Sequence, residues 1–485
     1  MLFNSFHFAL FLPVVFIAYW LLLRRNMRAQ NILLLVASYY FYACWDWRFL
    51  FLLIFSTLLD YYSGRIIEHS TSQKVRRISF WISVVVNLGF LGVFKYYNFF
   101  AQSLADGLAT VGWQVSPTLL NVILPVGISF YTFHGLSYVV DVYNRRITSE
   151  RNFIDYAVFV SFFPLLVAGP IERATHLLPQ IKSPRQFSFD KSADGMRQIL
   201  WGLFKKVVIA DNCAEFANIA FNNSDQFHGV TLILGACFFA IQIYGDFSGY
   251  SDIALGTARL FGIELLRNFA FPYFSRDIAE FWRRWHISLT TWFKDYLYIP
   301  LGGSKGTTAM RVRNTFIIFL VSGFWHGANW TFIIWGALNA LFFLPLLISN
   351  RNRTHVDSVA KSRKLPSVKE LLSIASTFAL VTLSWIFFRA ESVGHAVGYI
   401  SNIFSDGFVM VKGSDFAGTT LHPFLMLFLL MIFIVIEWVG RESKFALEHL
   451  ALNWKRPLRY AFYYVLLMTI FLLSGKEQQF IYFQF

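Results

Sequence analysis

Two histidines stand in segments whose other residues are mostly apolar or aromatic. His326 lies in VSGFWHGANWTFIIWG (321–336), and His286 lies in EFWRRWHISLTTWFKDYLYIPLGG (280–303). An imidazole has an ordinary pKa of about 6.5 and can take a proton from a hydroxyl near neutral pH. His326 is therefore a candidate general base. The alternative is a core histidine that is hydrogen-bonded to a neighbouring carbonyl group.

The residues around His326 indicate a tight turn and an aromatic surrounding. Gly323 and Gly327 flank the histidine and Asn329 follows it, which predicts a helix break close to the imidazole. Tryptophans at this spacing either wall a cavity or serve as packing and interface anchors. These tryptophans are Trp325, Trp330 and Trp335.

The segment that holds His286 is too rich in charge for a lipid-facing span. Its spacing predicts a continuous amphipathic helix, either at the cytoplasmic interface or re-entrant, in which Glu280 pairs with Arg284. One predicted face carries Trp282, His286, Leu289 and Phe293, and another carries Arg283, Thr290 and Lys294. The alternative is an interface anchor with no chemistry.

Other polar residues in apolar surroundings have weaker signals. The loop LGGSKGTTAMRVRN (301–314) contains Lys305 and could contact donor phosphates, but it matches neither a P-loop nor a Rossmann fingerprint. A positive cytoplasmic loop is the preferred interpretation. Asp246 and Asp252, in DFSGYSDIALG, are interpreted as paired structural charges, and so is Glu172, which forms a candidate pair with Arg173. The alternative is a direct catalytic role of these carboxylates.

The composition is that of a membrane protein. Of the 485 residues, 56% are hydrophobic and 14% are charged, whereas soluble domains average about 25% charged residues. The formal charge of +14 comes from short Lys and Arg clusters between apolar runs, which argues against nucleic acid and for cytoplasmic loops. The three cysteines show neither a disulfide framework nor metal-ligand spacing.

The alternation of apolar runs and basic clusters predicts an all-α polytopic protein with about eleven or more spans. The N-terminus is expected outside, on a retained first helix, with an outer turn at Asp46 and a crossing over 119–140. The chain enters the membrane after Arg313, so thirteen helical residues would carry His326 about 20 Å into a layer about 30 Å thick. The last residues, 476–485, are expected at or beyond the outer surface.

Five segments in order resemble the membrane-bound O-acyltransferase (MBOAT) family, and most closely its bacterial members that acetylate alginate, peptidoglycan or cellulose. They are LPVGISFYTFHGLSYVVDVY (124–143), FFPLLVAGPIER (162–173), DFSGYSDIALG (246–256), FWRRWHISLTTWFKDYLYIPLGG (281–303) and WHGANW (325–330). The similarity extends to about residue 390. The resemblance implies a ring of helices with re-entrant or interfacial helices around a central tunnel.

The resemblance also implies a site. The family's near-invariant histidine corresponds to His326 and its second motif position to His286, whereas His134 matches no fixed histidine of the pattern. We assign the catalytic roles to His326 and His286. The predicted contacts to the acyl donor are Trp325, Asn329, Trp282, Arg283, Arg284 and Lys305. No metal and no permanently bound cofactor is expected, and acetyl-CoA is the expected donor substrate.

The resulting functional hypothesis is O-acetyl transfer across a bacterial inner membrane, from acetyl-CoA to an extracytoplasmic acetyl-accepting partner protein and from there to a polysaccharide. The alternatives are D-alanyl or other acyl transfer by the same fold, or a transporter of acyl groups or polysaccharide without chemistry. We expect a single MBOAT domain over 1–485, with a motif-bearing core over 124–345. A basic cytoplasmic linker (350–370) and C-terminal helices (371–485) complete the expected organisation.

Overall fold

The computed structural model describes residues 1–167, 169–405 and 415–481, and all regular secondary structure in this part of the chain is helical. The prediction of an all-α protein is therefore confirmed for these residues. The α-helices are α1 Phe6–Ile17, α2 Met27–His69, α3 Gln73–Leu91, α4 Tyr97–Thr110, α5 Ile128–Tyr143, α6 Phe153–Ser161, α7 Phe163–Leu166, α8 Ala174–Ile181, α9 Phe189–Leu203, α10 Asp211–Asn222, α11 Val230–Leu260, α12 Ile278–Arg284, α13 Ile287–Phe293, α14 Thr308–His326, α15 Trp330–Ile348, α16 Val368–Arg389, α17 Val393–Phe404, α18 Pro423–Gly440 and α19 Arg456–Leu472.

Short π-helical segments extend several of these helices, and one 3₁₀ turn precedes α12. The π-helical segments are Ala18–Leu22, Gly92–Tyr96, Phe204–Ala210 and Lys294–Tyr298, and the 3₁₀ turn is Pro272–Phe274. Backbone contacts divide the chain into two compact units. The first comprises 1–195 with 254–266, and the second comprises 196–253 with 267–485. The predicted domain boundaries, including the core over 124–345, stay a prediction.

Six helical segments in the described ranges are long and apolar enough to cross a membrane, and Phe6–Leu22 is a shorter apolar helix. The six are Met27–His69, Gln73–Thr110, Val230–Leu260, Trp330–Ile348, Val368–Arg389 and Pro423–Gly440. Their length and composition agree with a multi-pass membrane protein. The predicted number of about eleven spans and the ring around a tunnel stay predictions.

Two turns that the sequence predicts are present. Asp46 interrupts α2 with φ −156° and ψ 111°, and its carboxylate accepts hydrogen bonds from the backbone and side chain of Arg48. The chain also turns back between α14 and α15, with His326 as the last residue of α14. The helical hairpin and the position of His326 near its apex are therefore confirmed.

The continuous amphipathic helix predicted over 280–303 is wrong. The chain breaks between α12 and α13, where His286 adopts a left-handed backbone conformation with φ 43°. The backbone N–H of Ala270 donates to the carbonyl oxygen of Arg284 (3.0 Å), and that of Ile287 donates to the carbonyl oxygen of Asn268 (2.8 Å). Hydrogen bonds to the preceding segment, which has no regular secondary structure, thus replace helical ones at the break, which local periodicity cannot reveal.

One other prediction from apolar periodicity needs correction, and another stays a prediction. The predicted crossing over 119–140 is helical only from Ile128, since residues 113–127 have no regular structure. Of the last residues, Phe480 and Ile481 are buried inside the second unit, 0% and 1% exposed, whereas Lys476, Glu477 and Gln479 are exposed. Residues 482–485 lie outside the described residues, and the side of the membrane on which the segment 476–485 lies stays a prediction. The carboxylate of Asp246 accepts a hydrogen bond from the backbone N–H of Ile481 (2.7 Å), so a buried polar group replaces water as the partner of this backbone N–H.

Candidate functional site

His326 owes its position to close packing of α14 against α15. A Cβ atom on Gly323 would lie 2.2 Å from the carbonyl oxygen of Phe332, and one on Gly336 would lie 2.3 Å from that of Phe319. Glycines therefore let the two helix backbones touch, as small residues do in membrane helix pairs. The helix pair carries the imidazole at the end of α14.

The ring of His326 is 4% exposed and has aromatic neighbours on several sides. Its centroid lies 4.8 Å from that of Trp325, 5.1 Å from that of Trp335 and 5.3 Å from that of Phe388. The interplanar angles of 73°, 87° and 70° place these rings edge to face. Such packing holds the imidazole in one orientation, which a catalytic base requires.

His286 caps the start of α13 and is 1% exposed. Its ring lies 4.6 Å from that of Phe247 and 6.1 Å from that of Trp325, centroid to centroid. Because Trp325 also contacts the ring of His326, one indole lies against both imidazoles. Burial lowers the pKa of His286 to about 3, so this ring is neutral at physiological pH.

Both histidines line one cavity of about 280 Å³ in the second unit. Its buried lining includes Trp282, Leu289 and Ser322 besides the two imidazoles. Its exposed lining carries positive charge from Arg283, Lys294 and Arg353. No aspartate or glutamate is among the described residues that line it. The cavity thus joins a basic surface to two buried imidazoles.

The predicted donor-contacting residues divide into two groups. Trp282 and Arg283 line the cavity, and Trp325 contacts both histidines. The other three, Asn329, Arg284 and Lys305, are not among the lining residues. The sequence predicted that the face with Trp282 and His286 and the face with Arg283 and Lys294 point in different directions. Residues of both faces line the same cavity.

Each residue of the second group has a defined place. The amide oxygen of Asn329 accepts a hydrogen bond from the backbone N–H of Thr331 (3.0 Å) and so caps α15. Arg284 donates to the carboxylate of Glu280 (2.9 Å), which confirms the predicted pair. Lys305 is exposed in the loop before α14. Their roles toward a donor stay predictions.

Several cavity residues were not predicted. Ser322 lies four residues before His326 on the same helix face, so its spacing was a usable signal. Asn352 and Arg353 come from the linker after α15 and also line the cavity. No periodic pattern marks a linker residue, and only the fold brings these two to the site.

The remaining motifs have structural roles. Lys205 lies 2.6 Å from the carboxylate of Asp252, and Lys206 lies 2.8 Å from that of Asp246, so the predicted pairing of these acids is confirmed. In the first unit the Nε2 atom of His134 accepts a hydrogen bond from the backbone N–H of Glu172 (3.0 Å). His134 is thus a buried core histidine.

Comparisons with known proteins show the family of this chain. A model of the membrane-bound O-acyltransferase family matches residues 56–373. The probable alginate O-acetylase AlgI of Pseudomonas aeruginosa is 41% identical over 400 residues, or 82% of this chain and 74% of that protein. The peptidoglycan O-acetyltransferase of Helicobacter pylori is 32% identical over 100% of this chain and 98% of that protein.

More distant relatives act on another acyl group. The teichoic acid D-alanyltransferase of Bacillus subtilis is 26% identical over 290 residues, which cover 57% of this chain and 71% of that protein. The family model covers well over half of the chain, and it includes both histidine segments. The chain therefore belongs to the membrane-bound O-acyltransferase family and is a multi-pass membrane O-acyltransferase.

Proposed function

We propose that this chain transfers acetyl groups from acetyl-CoA at the cytoplasmic face to an extracytoplasmic partner protein, which O-acetylates a polysaccharide of the cell envelope. The names of the relatives, alginate O-acetylase and peptidoglycan O-acetyltransferase, support this class of acceptor. The observation that carries the proposal is the single cavity that joins a basic surface to both histidines. Positive charge at its exposed lining attracts the phosphates of CoA.

His326 acts as the general base in this proposal. It takes the proton of the acceptor hydroxyl while the hydroxyl oxygen attacks the thioester carbonyl carbon. The carbon–sulfur bond then breaks, the thiolate takes the proton back from the imidazolium, and an ester and free CoA leave. His286, neutral because it is buried, donates a hydrogen bond that stabilises the developing oxyanion.

The size of the cavity favours a short acyl group. Ligand sites range over about 300–1,000 Å³, and this cavity of about 280 Å³ lies just below that range. Phe319, Phe343 and Leu347 contribute bulky apolar side chains to its lining. An acetyl thioester and the end of its pantetheine arm are a better match than a fatty acyl chain.

The membrane arrangement is part of the same proposal. About eleven or more spans would surround a tunnel in a bacterial inner membrane, with the N-terminus outside. The basic segment 350–370 would then face the cytoplasm, in agreement with the positive-inside rule. The exposed lining of the cavity includes Arg353 from this segment, so a cytoplasmic donor would reach the histidines directly.

D-alanyl transfer is the second candidate. The similarity to teichoic acid D-alanyltransferases supports it, at 26–28% identity over 57–60% of this chain. The chain belongs to an acyltransferase family, which argues against the alternative that it is a transporter without chemistry. Acetylation remains the better proposal, because the acetylating relatives are more similar over more of the chain.

The test uses purified chain in nanodiscs with radiolabelled acetyl-CoA, and measures CoA release and labelled acceptor with the partner supplied. We expect His326→Ala to abolish transfer while the protein stays monodisperse. His449→Ala is the matched control, because this histidine is 74% exposed in its side chain and lies outside the cavity. Activity of the His326 variant above about 5% of wild type would remove the base role, since loss of a general base costs about 10²–10⁴-fold.

A further inference from the structure

The linker after α15 is held in place by arginine side chains. We call residues 350–357 the strap. It has no regular secondary structure apart from isolated turns and bends, and two of its residues, Asn352 and Arg353, line the cavity. A loop with so few backbone contacts of its own needs outside anchors to keep one conformation.

Arg283 supplies the main anchor. Its Nη1 atom donates to the carbonyl oxygen of Asn352 (2.6 Å), and its Nη2 atom donates to that of His355 (2.7 Å). A planar guanidinium makes two such bonds at once with little loss of freedom for each bond. Arg283 is thus engaged with the strap, and its predicted contact to the acyl donor stays a prediction.

A second anchor lies at the end of the strap. Arg276 donates to the carbonyl oxygen of Asp357 (2.6 Å), and Arg284 donates to the same atom (3.1 Å). The buried carboxylate of Glu280 receives both guanidinium groups, at 3.0 Å and 2.9 Å. The strap is therefore tied at three carbonyl groups to α12 and to Arg276, two residues before its start.

This anchoring concentrates positive charge. Arg283, Lys294 and Arg353 all line the cavity, and no described lining residue is acidic. Like charges that converge on one opening repel each other and disfavour the closed arrangement. A bound polyanion removes that repulsion and so stabilises the closed strap.

We propose that the strap is the movable wall of the donor site, that Arg283 holds it closed, and that Lys294 and Arg353 bind the phosphate-bearing end of a CoA-type thioester. Arg283 is a positioning residue here, since its bonds to the strap bring the charge of Arg353 to the cavity. The inference rests on the proposed function and names the part of the site that recognises the phosphates.

The test compares Arg283→Ala, Arg283→Lys and Arg353→Ala with wild type in nanodiscs. Lys369→Ala is the matched control, because this lysine is exposed in the first turn of α16 and lies outside the cavity. For Arg283→Ala we expect KM for acetyl-CoA to rise about tenfold and kcat to change less than about twofold. Arg283→Lys should be intermediate, since an ammonium group cannot span both carbonyls.

Limited trypsin digestion gives a readout that needs no activity. We expect faster cleavage at Arg351 and Arg353 in Arg283→Ala than in wild type, and slower cleavage of wild type when acetyl-CoA is added. Arg353→Ala should raise KM and lose the protection by acetyl-CoA at Arg351. A merely structural role of Arg283 would change trypsin cleavage without changing KM.

The outcomes separate the two proposals. If Arg283→Ala leaves both KM and the cleavage rate at wild-type values, the proposal that the strap is a movable wall of the donor site is wrong. The proposal of acetyl transfer is then unaffected. If KM rises for no variant although cleavage is faster, the strap is a structural element and not part of the donor site. A third outcome is that wild type transfers no acetyl group while its trypsin cleavage is still slowed by acetyl-CoA and still becomes faster in Arg283→Ala. In that case acetyl transfer is refuted, and the proposal for the strap is supported.

Discussion

Glu280 is a buried carboxylate that forms ion pairs with Arg276 and Arg284, next to the cavity residue Arg283. Its carboxylate is 1% exposed and accepts hydrogen bonds from Arg276 and Arg284, whose side chains are 11% and 14% exposed. It also accepts from the backbone N–H of Arg276 (2.8 Å). Glu280→Gln keeps the shape of the side chain but removes the counter-charge that both guanidinium groups share, and only Arg276 keeps a second carboxylate, that of Glu370 at 3.8 Å.

The expected loss of stability follows from these contacts. Removing one partner of a buried ion pair costs about 3–5 kcal/mol. The lower end applies, because both arginines also donate to the carbonyl oxygen of Asp357. The entropy of unfolding is about 2.1 cal/mol/K per residue, or about 1 kcal/mol/K for a chain of 485 residues. We therefore expect Glu280→Gln to lower Tm by about 3 °C.

The assay is thermal unfolding of the purified variants in one detergent at one scan rate, because unfolding of membrane proteins is commonly irreversible. Asp357→Asn is the control. Its side chain is 72% exposed, so the pair that it forms with Lys361 contributes less than about 1 kcal/mol. A Glu280→Gln variant that unfolds within 1 °C of wild type would refute the claim that this carboxylate balances two arginines.

Two further predictions concern other parts of the chain. Gly323→Ala should separate α14 from α15 and reduce acyl transfer more than tenfold, since the new Cβ would lie 2.2 Å from the carbonyl oxygen of Phe332. Gly89→Ala, with no atom within 4 Å, should leave transfer unchanged and raise Tm slightly; equal activity of the two variants would contradict the packing argument. The hydrogen bond to Glu172 raises the pKa of His176 above its ordinary 6.5, so its stabilisation is complete below about pH 6.5 and is lost as pH rises through the raised pKa. Tm of wild type should fall over that range and fall less in His176→Gln; identical pH profiles would show that the pair does not affect stability.

The sequence predicted correctly those features that depend on interactions between residues close together in the chain. Glycines and Asn329 beside His326 predicted the turn after α14, because these residues favour turns and helix starts in any context. The pair of Glu280 with Arg284 followed from spacing on one helix. The break at Asp46 also followed from its place between two apolar runs.

Long-range hydrogen bonds determine the features that the sequence did not predict. The sequence from 280 to 303 has helical periodicity, yet Asn268 and Ala270 pair with backbone groups on both sides of His286 and bend the chain there. The backbone N–H of Ile481 donates a hydrogen bond to the carboxylate of Asp246, 235 positions earlier, and this bond holds the C-terminal segment inside the second unit. Neither partner is adjacent in sequence, so no window of residues contains the cause.

The sequence by itself determined that this protein lies in a membrane, that it belongs to an acyltransferase family, and that His326 and His286 are the residues to examine. Composition, charge alternation and motif order carry that information along the chain. Only the tertiary structure decided that Trp325 lies against both imidazoles and that the linker supplies Arg353 to the cavity. The physical reason is that a cavity and its lining are made by packing between distant segments, whereas periodicity records only which side of one segment is apolar.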